Sequence, residues 1–316
     1  MTGTSEERLA AVRAYVSAAM GVGSEVIKGV TPIEGGNRHW VYRLSLGERD
    51  VVARVSYGGD ASEVAHAEHE AAVLAVVGGV AGPELYDFRV RSPWFDTPAM
   101  CMQFVPGRQA ELATCGLPRI RELGGLVAWV HGRPVSGLGE ASSVAVYADE
   151  RLRGISAKLA WVRDPLPRAL QERLRRAAGS VGEARFDAGG GLSLLHGDIG
   201  PGNVLWGGGP FLIDWEYARL GDPADEVAYA FDQNGLAPEQ REAFWDGYGE
   251  AAGGGVRRLV ERAAWWEPVT LLGSTLWWVE RWVRRTEQPG DPGVPREAEF
   301  YLGHVCRRLD RLAHLV

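Results

Sequence analysis

Residues Leu194–Trp206 read LLHGDIGPGNVLW, and after a short turn residues Phe211–Glu216 read FLIDWE. Each apolar run predicts a short strand, and the glycine- and proline-rich segment between Asp198 and Asn203 predicts a loop of fixed length. The second strand delivers Asp214. We therefore expect three oxygen-bearing side chains on one short β-rich insert, from which they can point into one site.

This combination of side chains suits phosphoryl transfer. A carboxylate must orient the attacking hydroxyl and accept its proton, and hard oxygen ligands must hold Mg²⁺ against the β- and γ-phosphates. The interval from Asp198 to Asn203 equals the Asp-to-Asn interval of the kinase catalytic loop H-R-D-x-x-x-x-N, and Asp214 is placed like the metal-binding aspartate on the next strand. The tripeptide His196-Gly197-Asp198 alone is common in turns, so the prediction depends on all three oxygen-bearing residues together.

The residues around this insert predict an α+β fold in two parts. Residues 1–105 are predicted to be a mostly antiparallel β-rich domain with an N-terminal helix and one embedded helix, and residues 106–316 a larger α-rich domain. Pro106-Gly107 is the predicted hinge between them. The predicted helices cover 5–20, 63–77, 119–131, 144–161, 172–184 and most of the chain from 238 onward, and the predicted strands cover 30–33, 40–44, 51–55, 83–86 and 99–105.

The His196-Gly197-Asp198-x-x-x-x-Asn203 motif, followed by the sequence IDWE ending at Glu216, resembles the aminoglycoside phosphotransferase and choline kinase superfamily. The resemblance covers nearly the whole chain, and its motifs are specific for the superfamily but not for the substrate. It implies a protein-kinase-like bilobal fold, with Asp198 as the catalytic base and Asn203 and Asp214 as Mg²⁺ ligands. It also implies that His196 is structural, with a hydrogen bond to the backbone near Asp214.

The predicted nucleotide site lies in the first domain. Gly35, Gly36 and Asn37 stand between two predicted strands, where a loop can fold over phosphates and offer backbone N–H groups. They do not form a complete G-x-G-x-x-G motif, and many members of the resembling family have a similar loop here. Arg54 occupies the place of the protein-kinase lysine, and Glu70 on the following helix is its expected ion-pair partner. Arginine keeps the charge but binds phosphate through a fork rather than a point charge.

The segment before Pro106 resembles the hinge of the same family. There the adenine edge would bond to the main-chain carbonyl of Gln103 and the main-chain N–H of Val105. ATP is the expected nucleotide, and GTP stays an alternative.

A second acidic segment, Gly221–Glu226, follows the metal strand. The family often has Gly-Asp-Pro-x-x-Asp here, with the last aspartate supporting the catalytic loop. In this chain Glu226 holds that position and Asp225 precedes it, so the choice between them stays open. Asp222 is assigned a structural role, and a helix N-cap at Asp222 or Asp225 explains the segment equally well.

The acceptor is expected to bind near tryptophan-rich helices. Of the twelve tryptophans, Trp278 and Trp282 share a helix face, and Glu280 lies between them in sequence. Aromatic and acidic groups suit a cationic substrate, so these three residues and Glu216 are the predicted acceptor contacts. The alternative is that the tryptophans are simply core residues.

The composition argues against several other classes of protein. The formal net charge is −7, which argues against a nucleic-acid partner. No apolar run has the length of a membrane-spanning helix, and no signal peptide is recognisable at the N-terminus. The three cysteines have no metal or redox spacing. We expect a cytoplasmic monomer or homodimer that uses ATP, Mg²⁺ and a small-molecule substrate.

Three functions remain in competition. The leading one is phosphorylation of a hydroxyl on a small cationic molecule such as an aminoglycoside-type antibiotic. The second is the same reaction on choline or another amino-alcohol, because IDWEY resembles the Ile-Asp-Phe-Glu-Tyr of choline kinases. The third is a nucleotide-binding pseudokinase that regulates a partner, although that role does not require Asp198, Asn203 and Asp214 together. A protein kinase is disfavoured because no Asp-Phe-Gly or Ala-Pro-Glu segment is recognisable.

Overall fold

The computed structural model describes residues 5–33, 38–109, 111–134, 142–162, 166–183, 189–288, 290–291, 294 and 296–315. Packing divides the chain into two compact units. The first unit comprises residues 1–115 and 196–218, and the second comprises residues 116–195 and 219–316. The segment with Asp198, Asn203 and Asp214 therefore packs with the N-terminal residues, whereas the sequence-based boundary after residue 105 stays a prediction.

Strands and helices have the following bounds. The strands are β1 (Gly29–Ile33), β2 (His39–Ser45), β3 (Asp50–Ser56), β4 (Leu85–Arg89), β5 (Ala99–Gln103), β6 (Arg108–Gln109), β7 (Ser193–Leu195), β8 (Val204–Trp206), β9 (Pro210–Leu212) and β10 (Arg219–Gly221). The helices are α1 (Ser5–Met20), α2 (Ala61–Val77), α3 (Leu117–His131), α4 (Val144–Val162), α5 (Arg168–Glu183), α6 (Pro223–Asn234), α7 (Pro238–Ala251), α8 (Arg257–Glu287) and α9 (Ala298–Leu315).

The first unit is built on an antiparallel sheet with strand order β1-β2-β3-β5-β4. Alternation along β3 places Val51, Ala53 and Val55 in the core, so Arg54 lies on the opposite face of the sheet. Helix α2 begins where the Asp60 carboxylate accepts hydrogen bonds from the backbone N–H groups of Ser62 and Glu63. The predicted α+β class, with an antiparallel first part and a helical second part, is confirmed.

The second unit is helical around a core to which α8 contributes Trp266, Leu271, Leu272 and Leu276, all fully buried. Helix α6 begins at Asp222, whose side chain accepts a hydrogen bond from the Ala224 N–H at 3.0 Å. The sequence indicated a helix cap here but not the whole helix. Among the described residues, no helix is both long and apolar enough to cross a bilayer.

Helices α3 and α7 approach each other closely through glycines. A Cβ atom added to Gly247 would lie 1.9 Å from the carbonyl oxygen of Arg121, and one added to Gly124 would lie 2.0 Å from that of Phe244. No real Cβ atom tolerates such a distance to backbone, so the two helices could not pack as they do with alanine at either position. Glycine in mid-helix costs stability, and here the close approach of the helices offsets that cost.

Gly247→Ala is therefore expected to destabilise the protein. We expect a loss of about 3 kcal/mol, at the upper end of typical overpacking effects, and a fall of roughly 6 to 12 °C in the midpoint of thermal unfolding. Gly249→Ala in the same helix is the matched control, because its Cβ would meet Val256 at an ordinary 3.6 Å. That control should be neutral or stabilise by up to about 1 kcal/mol. Equal midpoints for the two variants would contradict the close-packing argument.

Candidate functional site

The β8-β9 hairpin brings the two halves of the motif together. Its register pairs Val204 with Leu212, and the Ile213 N–H donates to the Asn203 carbonyl at 3.0 Å. Asn203 and Asp214 are consequently held at the same end of the hairpin. The local sequence dictates this arrangement, because two short apolar runs separated by three glycines form a tight antiparallel pair.

Asn203 holds the loop that carries Asp198. Its amide nitrogen Nδ2 donates to the backbone carbonyl of Asp198 at 2.9 Å and to the carboxylate Oδ2 of Asp198 at 3.0 Å. Gly202 adopts a φ of 100°, which favours glycine, and its carbonyl accepts a hydrogen bond from Gln109 Nε2 at 2.7 Å. The Asp198 carboxylate is thus oriented by a neighbouring side chain as well as by its own loop.

His196 links this loop to the residue before Asp214. Its Nε2 lies 3.0 Å from the Ile213 carbonyl, and its Nδ1 accepts from the Asp198 N–H at 3.2 Å. These two contacts fit the neutral tautomer that is protonated on Nε2. The ring also packs on Trp215, with 4.5 Å between ring centroids. The backbone contact implied by the family resemblance is therefore present, and the structural role of His196 stays a proposal.

Asp214 has an unusual backbone. Its φ of 67° and ψ of 68° lie in the left-handed region, which aspartate tolerates better than most residues. The next residue, Trp215, is fully buried and donates from Nε1 to the Leu212 carbonyl at 3.1 Å. Gly82 leaves room for the indole, because a Cβ there would lie 2.6 Å from Nε1 of Trp215. The buried indole fixes the strained turn, which turns the Asp214 side chain away from the core.

Arg54 joins helix α2 to Asp214. Its Nη2 forms an ion pair with Glu70 Oε2, and its Nη1 lies 3.8 Å from Asp214 Oδ1. Burial lowers the pKa of Arg54, and the negative charges of Asp214 and Glu216 oppose that effect. The ion pair expected from the sequence is present, and the same guanidinium lies beside the proposed metal ligand.

Glu216 lies on the 3-10 turn that follows Asp214 and has a cationic neighbour that the sequence analysis did not identify. Arg38 Nη1 lies 3.7 Å from Glu216 Oε2, while Arg38 Nη2 lies 2.9 Å from Glu63 Oε1. Burial raises the pKa of Glu216, and the charge of Asp214 raises it further. Glu216 was predicted to contact the acceptor; its described ion-pair partner is Arg38.

The remaining predicted nucleotide contacts are only partly described. Gln103 is the last residue of β5, and its N–H donates to the Glu84 carbonyl at 2.8 Å. Val105 follows in a partly exposed coil segment. The predicted phosphate loop, with Gly35, Gly36 and Asn37, lies outside the described residues.

The predicted acceptor residues of α8 belong to the second unit. Trp278 stacks on His304 with 3.9 Å between centroids and 5° between the planes, so one face of the indole is covered by the protein itself. Glu280 lies 3.5 Å from Lys158 Nζ. Trp282 is partly buried against the core. One face of Trp278 and the carboxylate of Glu280 therefore already have partners within the second unit. That the three residues bind an acceptor stays a prediction.

The acidic segment at the start of α6 forms three buried networks, one around each of its carboxylates. The Asp225 carboxylate accepts from Tyr147 Oη at 2.6 Å, Arg151 Nε at 3.0 Å and Thr270 Oγ1 at 3.0 Å. Burial alone would raise the pKa of Asp225, but the charges of Arg151 and Arg219 hold the pKa below its usual value.

The neighbouring carboxylates are also satisfied within the second unit. Glu226 Oε2 lies 2.9 Å from His131 Nε2, and His131 Nδ1 lies 2.8 Å from Tyr248 Oη. Besides capping α6, Asp222 pairs with Arg262 at 2.9 Å and accepts from Trp266 Nε1 at 2.9 Å. Asp222 is thus the N-cap of α6, and the question of which carboxylate supports the catalytic loop stays open.

Two oxygen-bearing side chains at one end of the β8-β9 hairpin, Asn203 and Asp214, are the candidates for binding a divalent cation. The bonds to Asp198 use only the amide nitrogen of Asn203 and leave its oxygen Oδ1 unused, and the Asp214 side chain is 44% exposed. Within the described ranges, no cluster of three or more His, Cys, Asp or Glu side chains is placed to hold a metal. A pair of protein oxygens still fits Mg²⁺, which commonly takes one or two protein ligands and completes its shell with water and phosphate.

His39, at the start of β2, should lower the free energy of unfolding as the pH falls below neutral. Burial, together with the charges of Arg54 and Arg38, lowers the pKa of His39 to about 3. The unfolded chain binds this proton near pH 6.5 and the folded chain does not, so stability is lost as pH falls from about 6.5 toward 3. After a discount for solvent screening, we expect His39 to account for a loss on the order of 2 kcal/mol between pH 7 and pH 4.5. Denaturant unfolding at several pH values would measure this loss.

His39→Gln is the variant that tests this assignment. It should flatten the pH dependence of unfolding in that window, and His314→Gln, at an exposed position of α9, should leave it unchanged. The same slope in His39→Gln as in the parent chain would show that another group is responsible.

Several functional candidates were missed by sequence reasoning. Arg38 adjoins the glycine loop, but nothing in its spacing indicated two acidic partners. Tyr147 and Arg151 are four residues apart on a predicted helix, which places them on the same helix face. That spacing predicts the helix but does not identify Asp225 as their shared buried partner.

The chain is similar in sequence to known phosphotransferases. Residues 29–263 match the sequence model of a family described as the phosphotransferase enzyme family. A thiamine kinase from Salmonella typhimurium is 34% identical over 98 residues, which are 31% of this chain and 35% of that protein. The chain therefore matches about a third of the length of that relative.

Solved structures share the fold across nearly the whole chain. A choline kinase from Streptococcus pneumoniae superposes with a TM-score of 0.65 at 15% identity, covering 98% of this chain and 100% of that one. The GDP complex of aminoglycoside 2'-phosphotransferase-IIIa has a TM-score of 0.66 at 16% identity, covering 95% and 99% of the two chains. At these identities the likeness concerns the fold alone.

Proposed function

The chain belongs to the phosphotransferase enzyme family, and we propose that it transfers the γ-phosphate of a nucleoside triphosphate to a hydroxyl of a small cationic molecule. The observation that carries this proposal is the Asp198 carboxylate held at 3.0 Å by Asn203, on a hairpin that also presents the left-handed Asp214. This set provides a proton acceptor and two kinds of oxygen ligand, which phosphoryl transfer requires.

Asp198 is proposed as the catalytic base. Its carboxylate orients the acceptor hydroxyl and takes up the proton released when the oxygen attacks the γ-phosphorus. Asn203 acts on this step by fixing the carboxylate through its Nδ2. His196 maintains the loop through its two backbone contacts.

Asn203 Oδ1 and the Asp214 carboxylate are proposed to hold Mg²⁺. The ion would neutralise charge on the β- and γ-phosphates. Arg54, kept in place by Glu70, is proposed to contact the phosphates bidentately. The adenine contacts of Gln103 and Val105 and the phosphate contacts of Gly35, Gly36 and Asn37 complete the proposed nucleotide site. ATP is the proposed donor, and GTP stays the alternative because two structural neighbours were solved with GDP.

The acceptor is proposed to be a cation that carries a hydroxyl. The names of the similar proteins support this class, because thiamine, choline and aminoglycosides are all cationic alcohols. The carboxylates of Asp198 and Asp214, together with Glu216, would attract such a molecule. An aminoglycoside-type antibiotic is the leading acceptor candidate. The α8 residues Trp278, Glu280 and Trp282 are proposed as its further contacts. The protein is proposed to be a cytoplasmic monomer or homodimer.

Choline or a similar amino-alcohol is the second acceptor candidate, supported by the IDWEY sequence and the choline kinase fold neighbour. A pseudokinase regulator is the alternative of another class. It would bind nucleotide without any acceptor-dependent turnover.

A panel of acceptors tests the proposal. Release of ADP or GDP should be measured with thiamine, choline, kanamycin and a neutral sugar alcohol as acceptors. Turnover with one or more of the cationic alcohols, and none with the neutral control, supports the proposal. Nucleotide binding without turnover for any of them supports the pseudokinase, and turnover that favours the neutral alcohol contradicts a cationic acceptor.

A further inference from the structure

Two arginines connect the sheet of the first unit to the same pair of elements. Arg54 on β3 reaches Glu70 of α2 on one side and Asp214 on the other. Arg38, which directly precedes β2, reaches Glu63 of the same helix at 2.9 Å. Both arginines therefore join the sheet to α2.

The second contact of Arg38 repeats the pattern of Arg54. Its Nη1 lies 3.7 Å from Oε2 of Glu216, two residues beyond Asp214 on the same turn. The two α2 partners, Glu63 and Glu70, are seven residues apart and thus two helical turns apart on one face. The register of β2 and β3 pairs Val41 with Arg54 and His39 with Ser56, which brings Arg38 to the neighbouring end of the same sheet region.

We propose that Arg38 is a positioning residue for the phosphotransfer reaction: with Glu63 and Glu216 it forms a second bridge, parallel to Glu70-Arg54-Asp214, that fixes helix α2 relative to the turn bearing Asp214. The inference rests on the proposed function, because it gives Arg38 a role in nucleotide binding. It differs from a direct phosphate contact, since Arg38 acts here through its two carboxylate partners.

Burial is greatest at the Glu216 end of this bridge. The Glu216 side chain is only 14% exposed, and the Glu63 side chain is 22% exposed. Exposed pairs contribute little, but removing the cation from a largely buried carboxylate is costly. Arg38 also has a fixed backbone, because its carbonyl accepts a hydrogen bond from the Tyr57 N–H at 2.9 Å. A guanidinium can reach two carboxylates at once through separate nitrogens, whereas the three donors of an ammonium all radiate from one nitrogen.

The test is the affinity for the Mg²⁺-nucleotide complex, measured by calorimetry, together with the KM of nucleotide and acceptor. Arg38→Ala should weaken nucleotide binding about tenfold, in the range of measured pairwise couplings, and leave the acceptor KM within about twofold. Arg38→Lys should recover only part of the affinity. Arg89→Ala is the matched control, because Arg89 has similar exposure, 34% against 39%, and pairs with Asp87, which is 22% exposed like Glu63; it should bind nucleotide like the parent chain.

A double-mutant cycle separates positioning from direct contact. If Arg38 acts through Glu63, then Glu63→Gln alone should weaken binding and Arg38→Ala should add little in that background. Full additivity of the two changes would overturn the positioning role in favour of a direct phosphate contact, and so would an Arg38→Lys variant with parental affinity. Circular dichroism and thermal unfolding check that each variant folds, and if Arg38→Ala does not fold, the cycle with Arg38→Lys provides the same comparison.

Failure of this inference is distinguishable from failure of the proposed function. A parent chain that neither binds the Mg²⁺-nucleotide complex nor transfers phosphate contradicts both. A parent chain that binds nucleotide normally, with an Arg38→Ala variant indistinguishable from Arg89→Ala, contradicts only the role of Arg38.

Discussion

Asp198→Ala is expected to lower kcat by about three orders of magnitude, within the range that a positioned general base contributes. The carboxylate that accepts the hydroxyl proton is removed, while Asn203, Arg54 and Asp214 keep their places. The dissociation constant of the nucleotide should therefore stay within about twofold of the parent value. Acceptor-dependent ADP release and calorimetry with nucleotide alone would measure the two quantities separately.

Two further variants sharpen this test. Asp198→Asn keeps the shape of the side chain and an oxygen that can still accept the hydrogen bond from Asn203, but it cannot take up a proton. It should be nearly as inactive as the alanine variant if proton acceptance is the role of Asp198. Asp246→Ala removes a 65% exposed carboxylate that pairs with Arg121 and should be fully active. Substantial turnover in both Asp198 variants would remove Asp198 from the chemistry.

Much of the first unit follows from local sequence. The alternating residues of 51–55 predict a half-buried strand, and the structure buries Val51, Ala53 and Val55 as expected. The 63–77 periodicity predicts α2, which begins two residues earlier at the Asp60 cap. The pairing of Arg54 with Glu70 was expected from the resemblance to the lysine and glutamate pair of kinases, and not from the alternation or the periodicity.

Contacts between residues that are distant in sequence could not be predicted from local patterns. The bridge of Arg38 to Glu63 and Glu216 joins residues 25 positions or more apart, and periodicity within a helix or strand does not specify such partners. The Asp225 network unites a carboxylate with Tyr147, 78 residues away. A polar residue in a helix has several faces on which to find a partner, and only the packed structure selects one.

The burial of individual tryptophans could not be predicted from local sequence either. Trp266 is fully buried and donates to Asp222, whereas Trp277 is 41% exposed with Arg281 3.9 Å from its ring centroid. Composition predicts aromatic helices but does not separate core residues from surface residues. The proposed acceptor site was therefore the least well specified by the sequence. The hairpin that is proposed to be catalytic, with its fixed spacings, was the best specified.

Asp214→Ala is the second change with a large expected effect. If Asp214 and Asn203 hold Mg²⁺, the variant should lose about two orders of magnitude in kcat/KM, as expected when a charged group that fixes the phosphates is removed. Its nucleotide affinity should also lose its dependence on Mg²⁺ concentration. Calorimetry over a series of Mg²⁺ concentrations measures that dependence independently of turnover.

The left-handed backbone of residue 214 must be separated from the role of its carboxylate. Alanine tolerates a φ of 67° less well than aspartate, so a loss in Asp214→Ala could come from a displaced turn. Asp214→Asn tolerates the same backbone and keeps one oxygen ligand without the charge. It should fold normally and bind the Mg²⁺-nucleotide complex with affinity between those of the parent and the alanine variant. Asp310→Ala, at a 68% exposed position, controls for loss of a carboxylate in general. Parental Mg²⁺ dependence in both Asp214 variants would exclude Asp214 as a ligand and would leave its contact with Arg54 as its role.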